Sequence, residues 1–148
     1  KDKNLYNSLS AYGVGYHRHI PEIYQELNNY TNQTINLVFT PHLSPMFKGI
    51  LSTIYLDLKT NISLTKVKNT LNFFYRKKKF IKILKNNTPL STNDVIDTNN
   101  CLISVCKTKY KNKIIILSAI DNLIKGGAGQ AVQNMNLKFD FKIDEGLR

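Results

Sequence analysis

The longest uninterrupted apolar run in the chain, Ile114 to Leu117, is strand-sized. A membrane-spanning helix needs roughly 18 such residues, so the pattern excludes a membrane protein and requires short elements that bury apolar surface against one another. With 148 residues, 42% hydrophobic and 21% charged, the chain has enough material for one domain with its own core and is too apolar for a disordered tail. Residues 1–148 are therefore expected to form one domain, and its start at Lys1, without a methionine or an apolar leader, reads as the interior of a longer polypeptide.

The formal net charge of +11 raises the question of a phosphate-bearing partner. Of the 21 Lys and Arg residues only Arg18, Arg76 and Arg148 are arginine, and asparagine is equally abundant with lysine. Dedicated nucleic-acid surfaces favour arginine for bidentate contacts, whereas joint enrichment in Lys, Asn and Ile is what AT-rich coding drift produces. Nucleic-acid binding is thus the runner-up class. Lys77–Lys79 reads as a solvated turn, and Phe73, Phe74, Tyr75 and Phe80 fit a helix–sheet core better than a stacking platform. The two cysteines, Cys101 and Cys106, are too few for a disulfide framework, which points to a reducing, cytoplasmic location. Each stands among apolar strand residues and reads as core rather than nucleophile.

Periodicity predicts a strand over Ala11–His19, a short amphipathic helix from Pro21 through Asn28, and a buried strand over Ile35–Thr40. A rigid PHLSP turn follows at 41–45, then a strand over Ile50–Leu58. Leu64, Val67, Leu71, Phe74 and Tyr75 mark a helix that Ser63 caps. Phe80–Leu84 reads as a short strand, 86–100 as a surface loop, and Cys101–Cys106 and Lys113–Ile120 as two strands joined by a lysine-rich turn. After the GGAG stretch a last helix runs to Phe139. The absence of strict βαβ alternation predicts an α+β fold with a mixed, largely antiparallel sheet packed against helices.

Chemically capable groups are densest in His17-Arg18-His19-Ile20-Pro21-Glu22. On a strand His17 and His19 share a face, and Glu22, one helical turn on, is close enough to orient an imidazole through a hydrogen bond. That is the make-up of an acid/base histidine. A metal site competes, but a further ligand with convincing spacing is missing, since His42 stands alone. Plain surface histidines are the third reading. GGAG could cradle an anion with backbone N–H groups, although it matches no established phosphate motif.

Three segments, AYGVGYHRHIPEIYQEL, FTPHLSPMFKGILSTIY and LSAIDNLIKGGAGQAVQNMNL, resemble in order the signature blocks of the N-acetyl-gamma-glutamyl-phosphate reductase family and together cover most of the chain. The resemblance implies an NADPH-dependent reductase of arginine biosynthesis. It also implies a catalytic and dimerisation domain similar to the C-terminal domains of glyceraldehyde-3-phosphate and aspartate-semialdehyde dehydrogenases. Homodimers or homotetramers and a small acyl-phosphate substrate follow from it, with no nucleic-acid or membrane partner; a lysine-pathway relative with a longer substrate is the near alternative. The family's GCYPT-type cysteine motif and its N-terminal NADP-binding domain are not in this sequence.

By position in the HRHxPE block the resemblance assigns His19 as acid/base and Glu22 as its orienting partner, with His17 and Arg18 binding the substrate's anionic groups. Lys48 falls where the family often has a substrate-binding arginine and lacks that side chain's fork. Asn122, Lys125 and Gly126, in the DNLxKG block, are assigned to the cofactor side.

Overall fold

The computed structural model describes residues 7–31 and 33–147. The chain divides into two units, residues 1–47 and 48–148.

In the first unit, strands β1 (Ser10–Ala11) and β2 (His42–Leu43) form an antiparallel ribbon, with helix α1 (His19–Asn28) between them in sequence. The strand expected over Ala11–His19 stops after Ala11. Gly13 and Gly15 adopt positive φ values of 55° and 79°, and Tyr16 N–H closes a turn on the Gly13 carbonyl at 3.1 Å. This is a backbone conformation that glycine enters at no steric cost. The segment expected as a strand over Ile35–Thr40 keeps its alternation, with Ile35, Leu37 and Phe39 half-buried between exposed neighbours, but pairs with no strand among the described residues. Strand pairing occurs instead in the expected PHLSP turn, at His42–Leu43. Asn32, between α1 and the Ile35–Thr40 segment, lies outside the described residues.

The second unit is built on a four-stranded mixed sheet of order β3-β6-β5-β4, from strands β3 (Ile50–Asp57), β4 (Ile81–Ile83), β5 (Cys101–Lys107) and β6 (Lys113–Ile120). β6 runs antiparallel to both neighbours, with Ile50 opposite Ile120 on one side and Cys101 opposite Ile120 on the other, while β4 lies parallel to β5. Residues 84–100 make the crossover that the parallel β4–β5 pair needs, and helix α2 (Leu64–Tyr75), which joins β3 to β4 in sequence, packs on β4 and β5. Ser63 caps it by accepting the Lys66 N–H at 3.1 Å. The strands are apolar and β-branched where they are central and buried: Val105 is inaccessible and Ile114 nearly so.

The stretch 86–100 is more than a surface loop. It contains a 3-10 turn, Thr92–Asp94, closed by a capping box with Ser91, and it sends Val95 into a cluster with Leu102 and Ala119 flanked by Leu84 and Leu90. Asn99 from the same stretch is fully buried. A polar composition concealed these inward residues, because Leu90, Val95 and Ile96 scattered among turn formers produce no periodic signal. Beyond β6 a π turn (Ile124–Ala128) leads into helix α3 (Gly129–Lys138).

β3 is an edge strand with apolar side chains open on both faces. Leu51 and Tyr55 are 44% and 75% exposed on one, and Ile50 and Ile54 are 45% and 42% exposed on the other. The lysine run at 77–79 lies on the surface as expected; Lys79 pairs with Asp144, and the Arg76 guanidinium stacks 3.8 Å from the Phe73 ring.

Candidate active site and cofactor-side turn

The histidine cluster sits where chain enters helix rather than along a strand. Arg18 is the residue preceding α1 and contributes no side-chain cap. Its neighbour does: His17 Nδ1 accepts the His19 backbone N–H at 3.2 Å, and the His17 carbonyl accepts the Ile20 N–H at 2.9 Å. A backbone N–H can only donate, so the neutral His17 ring carries its proton on Nε2. Pro21 has no N–H to satisfy. The first donors of the helix are therefore already used, and an anion arriving here meets side chains, together with the positive end of the peptide dipoles.

His17 is half-buried and held edge-on by three rings, those of Tyr12 at 5.2 Å, Phe39 at 5.3 Å and His19 at 4.7 Å. The two imidazoles are thus neighbours, through a turn and a helix start instead of strand alternation. Arg18, His19 and Glu22 are exposed. Glu22 lies three residues beyond His19 on α1, a spacing that puts both on one side of the helix, and no hydrogen bond joins them. Among the described residues no group of three or more His, Cys, Asp or Glu could hold a metal ion.

In the second unit Lys48, Asn122, Lys125 and Gly126 fall around the turn that follows β6. The Lys48 ammonium hydrogen-bonds to Asp97 and lies 3.4 Å from Asp121 Oδ2. The hydrogen bond to Asp97 holds the Lys48 pKa above the usual lysine value, against partial burial, with the Asp121 charge assisting. For Asp121, which has no exposed surface, burial pushes the pKa up. The N–H groups of Asp97, Ile124 and Leu123 and the nearby Lys48 charge outweigh it and hold the carboxyl below the usual range. Sequence reading passed over Asp121. Its signal is local: an aspartate between a strand and a turn, whose carboxylate reaches the N–H groups two and three residues on.

Lys125 turns inward. Its ammonium donates to Gln133 Oε1 at 2.8 Å, stands 5.5 Å from the Phe80 ring, and is depressed in pKa by burial, with Cys101 opposing. The same Gln133 oxygen accepts from Asn99 Nδ2 at 3.0 Å. Gly126 and Gly127 are exposed. The GGAG stretch does not form an N–H cradle: Gly126 donates to the Asp121 carbonyl, Ala128 to Leu123 and Gly129 to Ile124, each five residues back. Cys101 and Cys106 are half-buried on β5, with sulfurs 3.6 Å from the Ser118 and Ser104 hydroxyls respectively.

No helix among the described residues is long and apolar enough to cross a membrane. The chain is 46% identical over 140 residues to N-acetyl-gamma-glutamyl-phosphate reductase of Thermoanaerobacter sp. (strain X514), an alignment covering 95% of this chain and 41% of that protein. To the enzyme of the same name from Campylobacter jejuni subsp. doylei it is 43% identical over 152 residues, covering 100% of this chain and 44% of the relative. The chain thus spans about two-fifths of the length of the curated relatives it matches. Aspartate semialdehyde dehydrogenase II from Vibrio cholerae superposes with a TM-score of 0.52 at 21% identity, over 70% of this chain and 31% of that one, a likeness of fold. Residues 1–122 match the family described as "Semialdehyde dehydrogenase, dimerisation domain". With that match over most of its length, the chain belongs to the semialdehyde dehydrogenase dimerisation-domain family.

Proposed function

We propose that this chain is the catalytic and dimerisation portion of an NADPH-dependent N-acetyl-gamma-glutamyl-phosphate reductase. In this reading the complete polypeptide reduces N-acetyl-glutamyl phosphate to the semialdehyde in the cytoplasm, as a step of arginine biosynthesis. The observation that carries it is the histidine pair at the start of α1, one ring fixed and one open, within a chain 46% identical over 140 residues to an enzyme of that name.

His19 is the proposed acid/base. It holds a proton near the family's cysteine sulfur, supplied from elsewhere in the polypeptide, and returns one to the substrate oxygen as the carbonyl is reduced. His17, packed among rings and bonded to the His19 backbone, keeps the helix start in place, with Nε2–H as its remaining donor. Arg18 binds a carboxylate or phosphate with two parallel hydrogen bonds, and Glu22 orients His19. Lys48 already shares its charge with two carboxylates, which weakens it as a receptor for an anionic substrate.

The dinucleotide supplies the hydride when bound. The residues present fit its proposed side: Asn122 Oδ1 is taken by the Gly49 N–H at 2.6 Å, leaving the amide N–H groups to donate, and the exposed Gly126 permits close approach to the backbone. Lys125 supports this surface from within, through Gln133. Homodimers or homotetramers would cover the open faces of β3.

The complete gene product should reduce NADP in a phosphate-dependent manner when given N-acetyl-glutamate semialdehyde, followed by the absorbance of the reduced nicotinamide. No activity with this substrate, or activity only with the longer lysine-pathway analogue, rejects the proposal.

A further inference from the structure

Two adjacent residues at the entry to β3 grip two adjacent residues at the exit of β6. Lys48 lies against the buried carboxylate of Asp121, at 3.4 Å, and Gly49 donates its N–H to Asn122 Oδ1, at 2.6 Å. Asp121 in turn accepts the N–H groups of Asp97 and Leu123 at 2.9 Å each and of Ile124 at 3.0 Å, so the shape of the turn depends on that carboxylate staying charged and in place. A fully buried carboxylate needs a counter-charge. Lys48 supplies it with a side chain only 20% exposed. With Oδ1 engaged, the direction in which Asn122 points its amide N–H groups is set by the Gly49 backbone.

We propose that Lys48 is a positioning residue for dinucleotide binding: by holding Asp121, and with it the Gly49-to-Asn122 hydrogen bond, it aims the Asn122 amide at an acceptor oxygen of the dinucleotide. This rests on the reading of Asn122 as a cofactor-side residue. It places Lys48 behind the cofactor surface instead of on the acyl phosphate, and it gives an arginine at this position the same task, since either cation can face Asp121.

The test uses the complete enzyme and NADP as probe, with its Kd from fluorescence titration alongside the KM of N-acetyl-glutamyl phosphate. Lys48→Met is expected to weaken NADP binding about tenfold, the scale of one lost charge-assisted contact, and to leave the acyl-phosphate KM within about twofold. Lys48→Arg restores binding. Asn122→Ala alone weakens NADP binding, and adding Lys48→Met to it costs little more, because the two act through one contact. A raised acyl-phosphate KM with unchanged NADP affinity overturns the proposal and returns Lys48 to the substrate. Fully additive losses overturn it as well, by making Lys48 merely structural. If Lys48→Met does not fold, Lys48→Gln, which keeps a donor toward Asp121, carries the same comparison. An Asn122→Ala enzyme that binds NADP normally defeats the reading of Asn122 itself, separately from the role of Lys48.

Discussion

Gly49 and Thr92 approach so closely that a Cβ on the glycine would lie 2.6 Å from the Cβ of the threonine. Gly49 also has φ at 108°, a region that side chains with a Cβ rarely enter. Both facts act at the residue whose N–H holds Asn122. Gly49→Ala is therefore expected to cost about 2–4 kcal/mol of folding stability, read as a lower urea midpoint at unchanged slope. An alanine variant as stable as the parent would show that the 3-10 turn can give way.

The two histidines should separate by type of damage. His19 is exposed, so His19→Ala in the complete enzyme should lower kcat roughly 10²–10⁴-fold with the thermal midpoint unchanged. His17→Ala removes the helix-start acceptor and the hub of three ring contacts, and should cost about 1–2 kcal/mol in stability. Calorimetry beside steady-state kinetics distinguishes the two.

The depressed pKa of Asp121 has a defined pH consequence. Its contribution to stability is complete above the ordinary aspartate range, near pH 4, and is lost as pH falls through its own lower value. Asp144, depressed by its hydrogen bond to Lys79, acts in the same direction. Asp121→Asn should thus be less stable than the parent at pH 7 and show a flatter, though not flat, decline below about pH 4. An unchanged acid slope in urea unfolding across that interval would assign the loss to other carboxylates.

Leu51 and Tyr55 project from the same face of an edge strand, as its second and sixth residues. A carboxylate at both positions places charge on surface that a homodimer would bury. Leu51→Glu with Tyr55→Glu should shift the complete protein toward monomers in sedimentation velocity, with far-ultraviolet circular dichroism unchanged. Persistence of the parent oligomer would locate the interface elsewhere.

Much of the sheet was readable because its residues obey a period. Ile50–Asp57, Cys101–Lys107 and Lys113–Ile120 form strands close to the expected bounds, and Ser63 caps its helix as its position suggests. The misplaced strand pairing has its source in dependence on partners distant in sequence. Ile35–Thr40 has the make-up of a strand but no neighbour to pair with among the described residues, whereas His42–Leu43 pairs because Ser10–Ala11 lies beside it. Val95 and Asn99 are buried in a segment of turn formers. At the site, the block containing His17 and His19 was visible as a cluster of chemistry, but its geometry was not, because two glycines at positive φ end the strand early. Asp121 stayed hidden because its importance lies in the N–H groups it collects, which carry no side-chain signature.

The hydrogen bonds that skip five residues between Asp121 and Gly129 insert one extra residue into the approach to α3. Gly127, at φ −149° and ψ −113°, kinks the backbone at this point, and since each residue in a helix advances it by roughly 100° about the axis, shortening the segment by Gly126 or Gly127 would change the rotational setting of α3. Gln133 would then swing away from both Lys125 and Asn99. The spare glycine works as a phase setter for the last helix, which makes the length of this segment as restrictive as the identity of its residues.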